Sequence, residues 1–476
     1  MSMKLFDLFD NTVTLPVENC EISTVTDDSR KIEENCIFVC IKGSSFDGHE
    51  FAAKALEDGA ALVITERDLG LERQVVVSDT RQYYGLLCAK WFSNPEKKLK
   101  LIGVTGTNGK TTITGIIKHI LTENGCKVGL IGTIQNEIGD EIIPAKNTTP
   151  LTFEFFSLLA KMVEANCTHA VMEVSSFGLQ QKRIGPASFG IGVFTNLTPD
   201  HLDYHNDMED YYNAKKQLFQ ICDVAICNID DAYGERLYNE ISCNKYTFSN
   251  RKKADFYADA IRTNATGSSF WFCTGEKSYF VNLHMPGLFN ISNATAAMGA
   301  CLKLGLPIER IIEAASNYKG TKGRCEIIPT NKDFSVICDY AHTPDALENI
   351  LSSIKSFTEN RLVCLFGCGG NRDKTKRPLM GKAAAKYADL LIITSDNPRN
   401  EEPEAIINDI IEGVGECEYV KITDRKEAIY YALENAQSGD VIVLAGKGHE
   451  DYQVLANGEK IHFDEREIVA EGLSRL

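Results

Sequence analysis

The chain of 476 residues is 43% hydrophobic and carries 66 acidic against 50 basic side chains, a formal net charge of -16. That length exceeds one core of ordinary size and predicts about three domains. No apolar run is long enough to span a membrane, no basic-plus-apolar leader opens the chain, and no basic block offsets the acidity as a nucleic-acid partner would require. A soluble cytoplasmic protein is expected, with no nucleic acid and no membrane insertion, and an anionic substrate would need a local basic pocket.

Apolar runs of strand length alternate with helical patterns almost throughout: "CIFVCI" (36–41), a helix near 49–59, "ALVIT" (61–65), "QVVVS" (74–78) and a helix over about 80–92. This alternation predicts an α/β fold with largely parallel sheets. The polar "SNPEKKLK" (93–100) reads as a linker before "LIGVTG". The next block runs through "HAVMEVSS", "GIGVFTN" and "VAICNID", then "MPGLFNISNATAAMGACLKLG", a loop opening a long helix. A break near "KGTKGRCEIIP" (319–329) precedes three strand–helix units led by "SVICDY", "RLVCLFG" and "LLIITS", with helices from about 344, 377 and 401; "EYVKIT", a helix and "DVIVLAG" follow. Neither repeats nor low-complexity segments occur. The 16 cysteines are scattered, and Cys36, Cys40, Cys338 and Cys364 fall inside apolar runs, so they read as reduced and structural. Cys364 and Cys368 lack a second pair that would complete a zinc site.

"GVTGTNGKTT" (103–112) has the strand, loop and helix order of a phosphate loop, although Val104 stands where the GxxxxGK[ST] template has its first glycine and the glycine lies one earlier, at Gly103. Gly106 and Gly109 free the backbone to turn amides toward phosphate oxygens. Lys110 can reach the terminal phosphates, and the Thr111 hydroxyl can bind magnesium at the start of the helix "TTITGIIKHIL". Taken alone, other polar residues have plainer readings. Glu173 would be a strand-end carboxylate, His201 a turn histidine, Lys215 a solvated helix lysine, and Asn290 and Asn293 helix N-caps.

This variant loop resembles the Mur ligase superfamily, which also includes the folylpolyglutamate synthetases. The likeness extends through "DDSR" (27–30), "NTTP" (147–150), "MEVSS" (172–176), "NLTPDHLDYH" (196–205), "NAKKQLF" (213–219), "FNISNATAA" (289–297), "DYAHTP" (339–344), "GCGGNRDKTKRP" (367–378), "DNPR" (396–399) and "AGKGHEDYQ" (445–453). It implies three domains: 1–98 for the uridine-diphosphate substrate, 99–325 a central P-loop ATPase-like domain with a parallel-sheet core, and 326–476 a Rossmann-like domain for the amino acid. It also implies a monomeric, ATP-dependent amide ligase of peptidoglycan precursor synthesis. In such a ligase the carboxylate of UDP-N-acetylmuramoyl-L-alanyl-D-glutamate attacks the ATP γ-phosphate, and the acyl phosphate is then displaced by an amino acid's amine.

On that resemblance, ATP meets Gly106, Thr107, Asn108, Gly109, Lys110, Thr111 and Thr112, with Asn290 (and Asn293) at adenine and Arg324 and Asp339 at phosphate and ribose. The catalytic set is Lys110, Glu173, His201 and Lys215, with one Mg²⁺ on Thr111 and Glu173, a second metal near His201, and a carbamylated Lys215 orienting magnesium, Lys216 being the adjacent alternative. The amine must be neutral to take up CO₂, which predicts a depressed pKa. Ser29, Arg30, Ser44, Ser45 and Phe46 would hold the uridine diphosphate. Asn147, Thr148, Thr149, Ser175, Gln181 and Arg183 would hold the muramoyl dipeptide, Arg183 by pairing with carboxylate. Phe177 departs from the family's "SSH", and Cys325 stands where Met is common; the latter reads as packing.

"SDNPRNEEP" (395–403) fixes the expected amino acid. Asn400 reads as a helix cap, Glu401 and Glu402 as first-turn acids and Pro403 as a tolerated first residue. Asp396, Asn397, Pro398 and Arg399 are left over at the carboxyl end of a strand, where ligands gather in α/β sheets. The second carboxylate of meso-diaminopimelate suits an arginine fork, and Asp396 with Asn397 suits the neighbouring ammonium. Arg372, Gly446 and Glu450 complete the implied contacts. The alternatives are a lysine-adding ligase, expected to lack Arg399, a folylpolyglutamate synthetase-like ligase, and a non-catalytic homologue, expected to have lost one of the four catalytic residues.

Overall fold

The computed structural model describes residues 2–9, 15–43, 46–202 and 204–476, and shows three α/β layers in succession. Ser44 and Ser45 lie outside the described residues. The first layer is a parallel sheet of Val25–Thr26, Ile37–Val39, Leu62–Thr65 and Gln74–Val76, in chain order. The expected helix over 49–59 begins instead as a 3-10 turn, Gly48–Phe51, before Ala52–Glu57. Helix Thr80–Trp91, whose first turn is capped by the Asp79 carboxylate accepting from the Gln82 amide at 2.8 Å, carries Leu87 and Trp91 into a core shared with Leu101 and Phe156 of the next layer.

Eleven strands form the second sheet. Seven are parallel, in the order Val128–Ile131, His169–Glu173, Lys100–Thr105, Phe189–Phe194, Cys222–Asn228, Asn244–Ser249 and Phe256–Asn264. Antiparallel strands extend both edges: Gln135–Ile138 with Glu141–Pro144, and Gly267–Thr274 with Lys277–Leu283. Strand Lys100–Thr105 stands where the chain leads away to both sides, the switch point at which α/β sheets bind ligands. Helix Lys110–Glu123 follows it and buries Ile113, Ile116, Ile117, Ile120 and Leu121, the spacing of one helical face. It packs on Leu288–Lys303, whose buried alanines and Gly299 allow close approach; a Cβ at Gly299 would meet the Phe256 ring at 2.6 Å.

The third sheet runs Glu326–Ile328, Ser335–Asp339, Val441–Ala445, Leu362–Phe366, Leu390–Ile393 and Tyr419–Lys421, all parallel except the first. Apolar clusters cover both faces, as expected of strands that read as continuous hydrophobic runs. The loops after Leu362–Phe366, Leu390–Ile393 and Val441–Ala445 converge at one end.

Two capping expectations fail. Helix Leu288–Lys303 is capped by Gly287, so Asn290 and Asn293 lie inside it and face inward. Helix Pro403–Ile411 starts after Glu402, and Asn400 accepts from the Asn457 amide at 2.8 Å instead. All 16 cysteines are free and most are buried. Among the described residues no helix is long and apolar enough to cross a membrane.

Candidate active site

The phosphate loop is shaped by glycine at two points. Gly106 (φ 147°) lies so close to Thr195 that a Cβ there would overlap its hydroxyl, and Gly109 (φ 89°) is the left-handed cap from which the helix begins; a Cβ on it would meet Asn293 Oδ1 at 2.5 Å. The loop is pinned from the next strand's end: Thr107 and Asn108 donate their amides to Asn196 at 2.9 Å each, and Thr195 Oγ1 donates to Asn108 O at 2.6 Å. The first-turn amides are thereby left to face a ligand at the positive end of the helix.

Two lysines converge on this loop. Lys110 Nζ donates to Gly106 O at 2.9 Å and Thr107 O at 2.8 Å. Lys215 Nζ, 2% exposed, donates to the same Gly106 oxygen at 2.9 Å and lies 4.5 Å from the Tyr211 ring centre. Burial lowers both ammonium groups, and Lys215 is driven well below its ordinary value, first by burial and then by the charge of Lys110. Lys216 turns away to pair with Glu240 at 2.7 Å.

Glu173 ends its strand beside the loop, 1% exposed, accepting from the Thr133 amide and hydroxyl at 2.9 Å each. Thr111 Oγ1 accepts from Arg324 at 3.2 Å. Both flank a cavity of about 360 Å³ between helix Lys110–Glu123 and strand Gln135–Ile138. Hard oxygen donors suit Mg²⁺, which keeps water and phosphate ligands. Among the described residues no three His, Cys, Asp or Glu side chains converge as a metal cage. His201 (φ 56°) stands half-exposed on the far side of the loop, edge-on to Phe177 with ring centres 5.2 Å apart, and near Asp200 and Tyr211.

Behind Gly109, Asn290 donates to Pro286 O at 2.8 Å, and Asn293 faces the loop. Arg324 leaves its Nε buried without a partner among the described residues and lies over the Tyr340 ring. Asp339 accepts from the amides of Cys325 and Ala341 at 2.7 and 2.8 Å; burial raises its pKa and Arg324 opposes the rise. Cys325 is buried, its thiol against Pro286, consistent with packing. Asp345, in the first turn of helix Pro344–Lys355, reaches across from the third sheet to accept from Asn108 Nδ2 at 3.0 Å and Thr198 Oγ1 at 2.9 Å.

On the first-layer side, Thr149, Ser175, Gln181 and Arg183 form one network. Thr149 Oγ1 donates to Glu173 O and accepts from the Ser175 amide; Arg183 donates to Thr149 O at 2.8 Å and to Gln181. Gln181 and Arg183 line a narrow cleft with Ile41 and Arg81, joining the first two layers. Thr148 joins this network through Thr133 at 3.0 Å, while Asn147 is exposed. Arg30, paired with Asp28 at 2.8 Å and following Ser29 in the 3-10 turn Ser29–Lys31, and Phe46, 62% exposed, sit on the first layer, and among the described residues none is bonded to that network.

In the third layer, Asp396, Asn397 and Pro398 are buried and Arg399 (φ 51°) donates to Gly370 O at 2.9 Å. Gly446 (φ 111°) leaves room for Asp396, whose Oδ2 would lie 3.1 Å from a Cβ there. Asn397 Nδ2 donates to Glu450 at 3.0 Å. Arg372 is exposed, and it and Arg399 both abut Gly369. Two buried arginines brace these loops: Arg377, paired with Glu401 and Asp409, and Arg425, paired with Glu465 at 2.7 Å. The sequence reading missed these arginines, Asp345, Thr133 and Lys447. Only Lys447 carried a signal, a lysine within the "GKGHE" loop after an apolar strand.

Three family models match the chain: "Mur ligase family, catalytic domain" over residues 21–84, "Mur ligase middle domain" over 104–301, and "Mur ligase, glutamate ligase domain" over 323–448. The UDP-N-acetylmuramoyl-L-alanyl-D-glutamate--2,6-diaminopimelate ligase 1 of Clostridium acetobutylicum is 46% identical over 463 residues, 96% of each chain. The enzyme of that name from Clostridium botulinum is 44% identical over 464 residues, again 96% of each. A solved structure of a UDP-N-acetylmuramoyl-L-alanyl-D-glutamate--2,6-diaminopimelate ligase, 33% identical, superposes with a TM-score of 0.76 over 100% of this chain and 99% of that one.

Proposed function

The chain belongs to the Mur ligase family, and from that premise we propose that it is the ATP-dependent ligase joining meso-2,6-diaminopimelate to UDP-N-acetylmuramoyl-L-alanyl-D-glutamate in peptidoglycan precursor synthesis. The observation that carries the choice of amino acid is the buried "DNPR" turn. Arg399 spends part of its guanidinium on Gly370 O and keeps the rest for a ligand, beside the carboxylates of Asp396 and Glu450. A zwitterionic end with one carboxylate and one ammonium matches that set. Lysine lacks the carboxylate and would leave the arginine unpaired, a mismatch that hydrogen-bonding sites reject strongly.

In this reading the body over 1–98 holds the uridine diphosphate through Ser29, Arg30, Ser44, Ser45 and Phe46, the body over 99–325 the nucleotide, and the body over 326–476 the amino acid. Arg183, Thr149, Ser175 and Gln181, with Asn147 and Thr148, orient the dipeptide so that its terminal carboxylate faces the ATP γ-phosphate. That carboxylate takes the phosphoryl group and releases ADP. The diaminopimelate amine then attacks the acyl carbon, expels inorganic phosphate and loses a proton. Lys110, the loop residues over 106–112 with the free amides of the helix's first turn, and Arg324 hold the phosphates, Asn290 and Asn293 the adenine, and Asp339 the ribose. One Mg²⁺ would be held by Thr111 and Glu173 and a second by His201, with a carbamylated Lys215 orienting the metal, and when bound these ions would neutralise charge gathering on the phosphates. Burial, and then the charge of Lys110, lower the Lys215 ammonium and so favour the neutral amine, which can add CO₂ and release a proton to give an anionic oxygen ligand. The enzyme acts as a cytoplasmic monomer.

The test is phosphate release by purified protein given ATP, Mg²⁺, the nucleotide-sugar dipeptide and a panel of amino acids. Release that depends on both the dipeptide and diaminopimelate is expected. Stimulation by lysine alone would sink the reading.

A further inference from the structure

Lys447 lies in the loop after Val441–Ala445 and is fully buried, yet it is remote from the phosphate loop and outside every contact assigned above. Its ammonium donates to Asn397 Oδ1 at 2.9 Å, Glu450 Oε2 at 3.2 Å and Tyr452 O at 2.9 Å. Those three bonds use all three of its protons, so it has none left for a ligand.

The consequence falls on its partners. Asn397 Oδ1 accepts from both Lys447 and the Val454 amide, the latter at 2.8 Å, so its two lone pairs are filled and its amide is locked in one orientation. Reversing it would set an NH₂ against two donors. Its Nδ2 is thereby committed to Glu450 Oε2, which also takes the lysine proton. Glu450 Oε1 has no protein donor among the described residues, and the side chain is 14% exposed, so this one oxygen is left to accept from a ligand. Lys447 also ties three segments together: its own loop, the "DNPR" turn and the hairpin of Tyr452–Val454 with Lys460–His462.

Resting on the functional reading above, we propose that Lys447 is a positioning residue for the amino-acid substrate, fixing the Asn397 amide and turning one oxygen of Glu450 toward the ligand's distal ammonium. It also balances Glu450. The carboxylate and ammonium at the ligand's far end then face Arg399 and Asp396 across a frame already neutral in itself. A point charge serves here where a guanidinium would not, because three acceptors surround one small cationic head.

The test is steady-state phosphate release by the full-length enzyme across the amino-acid panel, comparing wild type with Lys447→Met. The variant should raise the KM for the preferred amino acid by about 10- to 100-fold, the worth of a hydrogen bond to a charged group. The KM for ATP should stay within about 2-fold, since uniform binding of the nucleotide is untouched. Because Lys447 acts through Glu450, the double variant Lys447→Met/Glu450→Gln should show a KM within about 3-fold of Glu450→Gln alone, the mark of coupled residues. The double variant buries no unpaired carboxylate and serves the same comparison if the single variant fails to fold. An unchanged KM for the amino acid, an equal rise for ATP, or single effects that multiply in the double variant would each overturn the role. Preference for lysine in wild type would overturn the diaminopimelate reading, while Lys447 would still be scored on lysine.

Discussion

The two charged regions of this molecule are built in opposite ways. At the phosphate loop, Lys110 and Lys215 share one carbonyl oxygen, Arg324 keeps a buried N–H unpaired, and the Glu173 carboxylate beside the loop is held by threonine. At the "DNPR" turn nearly every charge has an internal partner: Lys447 with Glu450, Arg377 with Glu401 and Asp409, Arg425 with Glu465. The first region carries positive charge that a polyanion would complete. The second is an internally paired frame that, on the proposed reading, would present a few oriented atoms to a small zwitterion. Buried ion pairs contribute little net stability but hold geometry, and the third layer uses them in that way, although Arg377 Nε, like Arg324 Nε, is buried without a partner among the described residues.

Substitutions can break or sharpen this contrast. The largest effect is expected at the unbalanced loop: Lys110→Met should lower kcat by about 1,000-fold, as for other lost contacts to a charged transition state. Lys215→Ala should be nearly inactive and partly restored by added acetate or formate standing in for the carbamate; near-normal turnover would remove Lys215 from the site. At the balanced turn, Arg399→Ala should raise the KM for diaminopimelate by about 100-fold and leave the KM for ATP within about 3-fold, as when a bidentate carboxylate contact is lost. An equal rise in both would mean that the two regions are not separable.

The contrast also predicts a proton. Burial lowers the Lys110 ammonium in the free protein, so phosphate binding, which favours the charged form, should take up protons in the pH window between its depressed free value and its higher bound value. Calorimetric heats of nucleotide binding should then differ between buffers of unlike ionisation enthalpy, and diaminopimelate binding should show no such difference. The sign for stability follows. Between the depressed folded value of Lys215 and its unfolded value near 10.5, the unfolded chain holds more protons, so the ligand-free protein should gain stability as pH rises through that window. The smallest effect is expected at Asp345→Ala, which strands two donors between layers and should cost about 1 to 2 kcal/mol in denaturant unfolding.

Much of this was legible beforehand, because periodicity and glycine placement are local. The parallel layers follow from apolar runs alternating with helical patterns, and the phosphate loop from two glycines between a strand and a lysine-led helix. The strands Phe256–Asn264, Gly267–Thr274 and Lys277–Leu283 were not read, since their alternating polar residues and short turns blend into a loop-like stretch. In "AKK" either lysine could point inward; only the packing of helix Met208–Lys216 turns Lys215 to Gly106 and Lys216 to Glu240. Asn290 and Asn293 looked like caps because capping and buried recognition favour the same residue, and Asn400 was set aside by a partner 57 positions away. Asp345 gave no sign, its partner Asn108 being 237 residues distant.

That long bond has a mechanical meaning. Helix Pro344–Lys355 is gripped at its first turn by the phosphate loop, and just before it the carbonyl of His342 accepts from Lys376, which opens helix Lys376–Ala385. That second helix carries Arg377, which holds Glu401 of the "DNPR" segment. The path is a lever with its fulcrum at Asn108 and its free arm at the amino-acid turn. On the proposed reading, the bonds of Asn108 and Thr198 to one aspartate would then link the place of the phosphates to the place of the incoming amine.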